Sequence, residues 1–273
     1  MKSYFYFKVA TYILSGLTIG ANIFESIYVT VFNKPVFVHL YFIKKKLPRK
    51  KKEFLNDVAF YRNLSPKYQS YFEHRLVNFF RNNDFIERDG FELTPESKVL
   101  IAASYVKLTF GMRRYNSSTF DKIMVYPSTY YSTITEQYHK GEFNPALKMI
   151  VFSWEDFLLG EIITNDNLNL GIHEFTHALT FHGKKSKDKS AKIFYRVFRE
   201  ILKFMKNPDN STVIIRSNYF RDYANTNALE FLSVIMEHFF ETPEDLKKNF
   251  PELFFKIEKM LNYKAILNQQ LSQ

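Results

Sequence analysis

His173-Glu174-Phe175-Thr176-His177 is the stretch of this 273-residue chain that most limits how it can fold. Imidazoles four residues apart share a face on an α-helix, where both can present nitrogen to one metal ion. Glu174 follows the first imidazole directly. A carboxylate there reaches water at the metal without ligating it, and takes the proton as the water attacks a carbonyl. Ile172, Phe175, Ala178 and Leu179 around the pattern are apolar, as a buried helix requires. Two hydrogen-bonded core histidines would satisfy the same pattern, so the rest of the chain has to decide.

Composition narrows the chemistry. With no Cys, a disulfide framework and a thiolate-bound metal are both excluded, and any metal must be held by His and carboxylate. Apolar residues at 46% and aromatics at 18%, with 30 Phe and 18 Tyr, exclude a disordered chain and supply a substantial core. The net charge of +10 points to nucleic acid or to anionic membrane, and its distribution chooses between them.

From Val9 to Asn33, Glu25 is the one charged residue, and the stretch is long enough to cross a bilayer as a helix. A cleaved signal peptide fits less well, because the apolar stretch is long and no small-x-small site ends it. An amphipathic or core helix is the alternative. Val36 to Ile43 is apolar again but too short to span, and Pro35 separates it from the helix. Next comes Lys44-Lys45-Lys46-Leu47-Pro48-Arg49-Lys50-Lys51-Lys52, seven of the 38 basic residues, placed to meet anionic headgroups. The positive-inside rule then keeps this flank cytoplasmic. No aromatic interleaving accompanies the run, so nucleic acid is not an expected partner. The expected division is an apolar anchor at 1–43, a basic linker at 44–53 and a globular domain at 54–273.

Within that domain, Phe54 to Phe110 reads as helical. Ser65-Pro66 caps and opens a helix over Tyr68 to Arg81, Asp89-Gly90 marks a turn, and Thr94-Pro95 opens a second helix through Leu108. Lys122 to Tyr126 and Lys148 to Trp154 read as strands. Pro127 argues that the first is an edge, where an extended peptide could bind. The metal-binding helix is expected to end near His182-Gly183, with glycine as its cap. Ala191 to Lys206 is amphipathic, Asn207-Pro208-Asp209-Asn210 is a turn, and Leu253 to Tyr263 is the last helical segment.

A third ligand has several candidates. His182 is one, although a metzincin would carry its histidine at 183, which is Gly. Ala228 to Glu237 is strongly apolar with carboxylates at Glu230 and Glu237, and a buried carboxylate is costly unless paired or metal-bound. These two lie seven apart on one helix face, so spacing alone does not choose between them. Glu237 is also a candidate for orienting a histidine.

Several blocks, in order, resemble the Mlc titration factor A family of zinc metallopeptidases. They are Val125-Tyr126-Pro127, Val151 to Asp156, His173 to His177, Asp222-Tyr223-Ala224-Asn225-Thr226-Asn227-Ala228-Leu229-Glu230-Phe231, and Glu237 to Pro243. The resemblance spans roughly Phe54 to Tyr263. It implies a gluzincin-like site with Glu230 as third ligand to zinc beside His173 and His177. It also implies that Tyr223 turns its hydroxyl into the site, where it would support an oxyanion. The family is similar in its catalytic core to the anthrax lethal factor protease. Its known members remove amino-terminal residues from small peptides and bind a transcriptional repressor of sugar uptake. This chain departs from the pattern at Thr180, where members usually carry Asp, and in its apolar N-terminal segment, which the cytosolic type member lacks.

The sequence therefore predicts an α+β, predominantly helical zincin-like domain with a small sheet, preceded by an apolar helix. Its expected activity is peptide-bond hydrolysis on peptide or protein substrates. Zn2+ would be held by His173, His177 and Glu230, with Glu174 as general base and Tyr223 as electrophilic support. Its expected place is the membrane, single-pass, with the domain cytoplasmic; the alternative is a cytoplasmic protein. The rival function is a non-catalytic regulator that sequesters a partner such as a transcriptional repressor.

Overall fold

A computed structural model describes residues 2–133, 135–264 and 266 of the chain; residues 134, 265 and 267–273 of the expected domain, and residue 1 of the expected anchor, lie outside the described residues. The N-terminal helix α1 (Lys2–Phe32) is a single rod, longer at its start than the uncharged stretch, and it ends at Asn33, which takes a left-handed φ of 53°. The basic run is no free linker. Lys45 donates its backbone N–H to His74 and its ammonium to Asn78, Lys52 pairs with Glu73 at 2.8 Å, and Leu47 is buried. Two short helices, α2 (Arg49–Glu53) and α3 (Ala59–Arg62), flank a 3-10 turn over Phe54–Asp57.

The two long helices that follow begin where proline places them. α4 (Pro66–Asn82) and α5 (Pro95–Thr109) each carry Pro in the first turn, and Thr94 caps α5 by accepting from Ser97 N–H. Between them, β1 (Asp84–Glu87) is a strand in a region that reads as helical throughout. Two polar ends around Phe85-Ile86 leave too short an apolar signal to show it. The other strands are β2 (Lys122–Tyr126), β3 (Tyr130–Ser132), β4 (Gln137–His139), β5 (Gly141–Asn144) and β6 (Met149–Ser153).

Among the described residues they form a sheet in the order β1-β2-β6-β5 and a separate β3-β4 hairpin. β1, β2 and β6 run parallel, and β5 is antiparallel to β6. This corrects the edge assignment for 122–126. Because β1 pairs with it through Asp84↔Lys122 to Glu87↔Val125, β2 is interior, and Pro127 falls just past its last ladder position. The edges are β1 and β5.

Helix α6 (Trp154–Ile162) follows β6 directly, capped by Ser153. α7 (Leu170–Lys185) carries the two-histidine pattern, starting at Asn169, whose side chain accepts from Ile172 N–H at 2.9 Å. It runs past its expected end. Gly183 lies inside it, where an added Cβ would sit 3.0 Å from the Ala191 carbonyl and 3.0 Å from Tyr195 Cβ. Glycine is there to let α8 (Lys189–Lys206) approach, not to cap α7. Asn207-Pro208 is likewise no isolated turn: Asn207 caps a further helix, α9 (Pro208–Ser217). A 3-10 turn over Asp222–Asn225 leads into α10 (Ala228–Glu241), and α11 (Pro243–Asn249) and α12 (Pro251–Leu261) follow.

α7 is the centre of the domain, packed against α5, α8 and α10 and touching β5 and β6. Phe175 drives this packing. It is fully buried, with ring centroids 5.0 Å from Tyr105, 5.5 Å from Phe152 and 5.8 Å from Phe120. Its burial pins one face of α7 to the sheet and α5 and turns His173 and His177 toward α10.

Candidate metal centre

His173 and His177 project from successive turns of α7, and Glu230 reaches them from the first turn of α10. One donor atom from each of the three lies within 4.8 Å of the other two. His173 Nε2 is 2.9 Å and His177 Nε2 3.4 Å from the same Glu230 oxygen. Asn227 sets the start of α10 by accepting from Leu229 and Glu230 N–H, which fixes where Glu230 leaves the helix.

Behind this cluster, Glu237 Oε1 accepts from His173 Nδ1–H at 2.6 Å. Arg221 holds the same carboxylate with two bonds of 2.7 and 2.9 Å, and Asn169 N–H adds one at 3.3 Å. Arg221 also donates to the Asn167 carbonyl at 2.6 Å, tying the loop before α7 to the turn before α10. Arg221 was not legible as a site residue. Its sequence neighbourhood gives no signal, since its role arises only when the two loops meet. Ser233 adds a bond from its hydroxyl to the His173 carbonyl at 3.2 Å.

Glu174 lies on the other side of the cluster, buried, against the edge strand β5. A Cβ on Gly141 would come within 2.9 Å of Glu174 Cγ and Oε1, so only glycine lets this strand pass so close to the carboxylate. Tyr223 stands over the site from the 3-10 turn, its ring centroid 5.8 Å from that of His173, and is 50% exposed. His182 is buried on the last turns of α7 and is not part of the cluster. Thr180 donates its hydroxyl to the Thr176 carbonyl within the same helix at 2.8 Å.

The electrostatics follow from three carboxylates in one buried space. Burial raises Glu174 above the usual carboxylate range, with His177 and His173 opposing and Glu230 and Glu142 adding to the rise. Burial would raise Glu230 too, but hydrogen bonds from His173 and His177 hold it well below that range. Burial lowers His173, yet its bonds to Glu230 and Glu237 outweigh burial and carry it to about 10. Burial pushes the Tyr223 phenol up to about 12, helped by Glu230 and Glu174, so its hydroxyl keeps its proton and remains a donor.

These groups fit a divalent cation. With both imidazoles neutral, as ligand nitrogens are, Glu174, Glu230 and Glu237 face a single guanidinium, an excess of negative charge that a cation at the convergence of the nitrogens and the Glu230 oxygen would neutralise. Two nitrogens and a carboxylate oxygen, with no thiolate, are donors that zinc accepts.

The chain is similar to known proteins over most of its length. An uncharacterized protein of Synechocystis sp. is 25% identical over 250 residues, covering 82% of this chain and 88% of its own length. The family model for glucose-regulated metallo-peptidase M90 matches residues 41–262, a span holding the whole cluster and beginning after α1. The chain therefore belongs to the M90 metallopeptidases, the family its residue blocks resemble, and membership implies a metal and a metallopeptidase type of function.

Proposed function

We propose that this protein is a membrane-anchored zinc peptidase that hydrolyses peptide bonds with Glu174 as general base. The observation that carries the reading is the convergence of His173, His177 and Glu230 with the buried Glu174 beside them. His173, His177 and Glu230 would hold the metal, and zinc there supplies Lewis acidity and an acidified water. The protein's own groups do the rest. Glu237 keeps the Nδ1 proton of His173, leaving Nε2 as the ligand nitrogen. Glu174 accepts the proton of the attacking water at its carboxylate and returns it to the leaving amine, a task suited to a carboxylate whose pKa burial has raised. Tyr223 donates its O–H to the oxyanion that develops on the scissile carbonyl. β5, an edge strand beside Glu174, offers free backbone groups to an extended peptide.

The anchor is α1, whose stretch Tyr6–Phe32 is long and apolar enough to cross a membrane. The basic run after it supports a cytoplasmic position for the domain.

The test uses the full chain in detergent, measuring metal content and peptide hydrolysis in wild type, Glu174→Gln and His177→Ala. About one zinc per chain is expected in wild type and Glu174→Gln, with most of it lost in His177→Ala and turnover in wild type alone. Full activity in Glu174→Gln overturns the mechanism. A folded wild type that takes up no metal overturns the peptidase reading in favour of a protein that acts by sequestering a partner.

A further inference from the structure

The N-terminal helix is two things in one rod. From Tyr4 to Phe24 every side chain that is described is exposed, whereas the last turns rest on the domain. Glu25 pairs with Arg113, Ser26 accepts from Lys189 at 2.6 Å, Val29 is buried, and Asn33 accepts from Arg196. Positions 25, 26, 29 and 33 form one helical face. Glu25 is thus the counterion of Arg113 and not an accident within an apolar stretch.

This docking fixes where hydrocarbon can begin. If the last turns of α1 lay inside the bilayer, Arg113, Asp188, Lys189 and Arg196 would be carried in with them, at a cost of several kcal/mol per charge. The lipid-facing part must therefore stop near Phe24. Tyr4 to Phe24 is 21 residues, and at about 1.5 Å per residue it matches the roughly 30 Å of a hydrocarbon core. Lys8 falls within it but reaches back one turn, its ammonium 4.7 Å from the Tyr4 ring, so its charge leads toward the far interface.

The segment after the helix then acquires a partner. Phe37 lies with its ring 5.0 Å from the guanidinium of Arg113, the residue that holds Glu25, so this segment sits level with the end of the lipid-facing stretch. His39 and Tyr41 point inward to Arg75, at 3.2 and 2.8 Å, while Leu40, Phe42 and Ile43 point out. Phe42 is 95% and Ile43 84% exposed, more than any other large apolar side chain among the described residues. Exposed cations flank them, Lys34 before and Lys44 and Lys46 after.

We propose that residues 36–43 form a membrane-interfacial wedge: Phe42 and Ile43 enter the headgroup-to-acyl boundary of an anionic bilayer beside α1, and Lys34, Lys44 and Lys46 meet its headgroups. The inference rests on the anchor reading above and extends it, since the wedge and the helix together seat the domain on the membrane instead of leaving it on a tether. Apolar side chains at this depth and cations at the surface are the two ordinary sources of interfacial binding.

The test places one tryptophan at a time in the full chain, in a Trp154→Phe background that removes the only native one. Phe42→Trp and Ile13→Trp variants are reconstituted in vesicles of phosphatidylcholine with and without phosphatidylglycerol, containing lipids brominated high or low on the acyl chain. Circular dichroism checks that each variant is folded. The wedge predicts a blue shift and loss of emission for Phe42→Trp, strongest with bromines high on the chain. Ile13→Trp should be quenched most by bromines near the chain end. Phosphatidylglycerol should deepen the Phe42→Trp quenching, and Lys34, Lys44 and Lys46→Ser together should remove that increment.

Quenching of Ile13→Trp alone overturns the wedge and leaves the anchor standing. Quenching of Phe42→Trp alone upholds the wedge and overturns the span. A blue shift of Phe42→Trp with no quenching by either lipid means that it is buried against a second copy of the chain, and overturns the wedge. Two unquenched tryptophans overturn both.

Discussion

His173 and Glu237 are joined across the α7–α10 interface by a 2.6 Å hydrogen bond, and this bond decides which nitrogen of the imidazole faces Glu230. Glu230 meets the same ring at Nε2, so one histidine lies between two carboxylates that are seven residues apart on α10. Arg221 and the Asn169 N–H hold Glu237 from behind. The ring is thus held in orientation from both sides.

Glu237→Gln should therefore weaken metal binding without unfolding the chain. The amide can still accept from His173, but it no longer carries the charge that balances Arg221 and supports the ligand. Loss of such a partner typically costs about 10- to 100-fold in metal affinity. Competition against a zinc chelator measures it, with circular dichroism as the check on folding. An unchanged Kd would mean that Glu237 serves packing alone.

Gly141 and Glu174 give a second prediction. In Gly141→Ala the new methyl would lie 2.7 Å from Leu170 Cδ1 and 2.9 Å from the Glu174 carboxylate, and those side-chain atoms are what must yield. Displacing a catalytic group by about 1 Å can cost on the order of 100-fold in rate. The expected result is a fall in kcat of about 10- to 100-fold with metal content retained. Full kcat in a folded Gly141→Ala variant would show that Glu174 is not held by the edge strand.

The sequence was readable where local chemistry settles the outcome. Ser65-Pro66 and Thr94-Pro95 announce α4 and α5, and His173 to His177 announces a helix with two imidazoles on one face, because each pattern works within a few residues of itself. It was unreadable where distant segments decide. β2 becomes interior only because Asp84–Glu87 pairs with it, and that strand has two apolar residues to show. Gly183 looks like a cap until α8 is seen to press on it. Glu230 and Glu237 cannot be told apart by spacing since both face α7, and the fold places them at opposite nitrogens of one ring. Arg221 has no local signature at all.

His39 carries a prediction about acid stability. It is stacked on Tyr71, flanked by Tyr41, Tyr68 and Phe110, and accepts from the buried Arg75; burial first, then the charges of Arg75 and Lys67, hold its pKa down at about 2. The unfolded chain protonates this histidine on passing below about 6.5, and the folded chain does not until near pH 2. Between those values the unfolded state binds the extra proton, so stability rises with pH and is lost as pH falls. His39→Gln keeps an acceptor for Arg75 without a titrating group. It should shrink the stability difference between pH 7 and pH 5 by about 2 kcal/mol, read from unfolding midpoints at the two pH values. An unaltered difference would place the acid sensitivity elsewhere, in His74, His182 or His238, which burial also lowers.

Tyr223 offers the most direct test of the chemistry. Its hydroxyl is a donor at any physiological pH, it stands beside His173, and half of its surface is open to an incoming peptide. It touches no part of the buried Glu237–Arg221 frame except through the Arg221 guanidinium, whose centre lies 6.0 Å from its ring. Removing only the hydroxyl should therefore spare the fold, but it also takes a hydrogen bond from Glu230, so metal content is measured beside the rate. If that hydroxyl stabilises the oxyanion, Tyr223→Phe loses an interaction made in the transition state and not in the ground state. kcat should then fall by about 100- to 1,000-fold with KM little changed. A rise in KM at constant kcat would instead make Tyr223 a contact for bound substrate, and the oxyanion would need another donor.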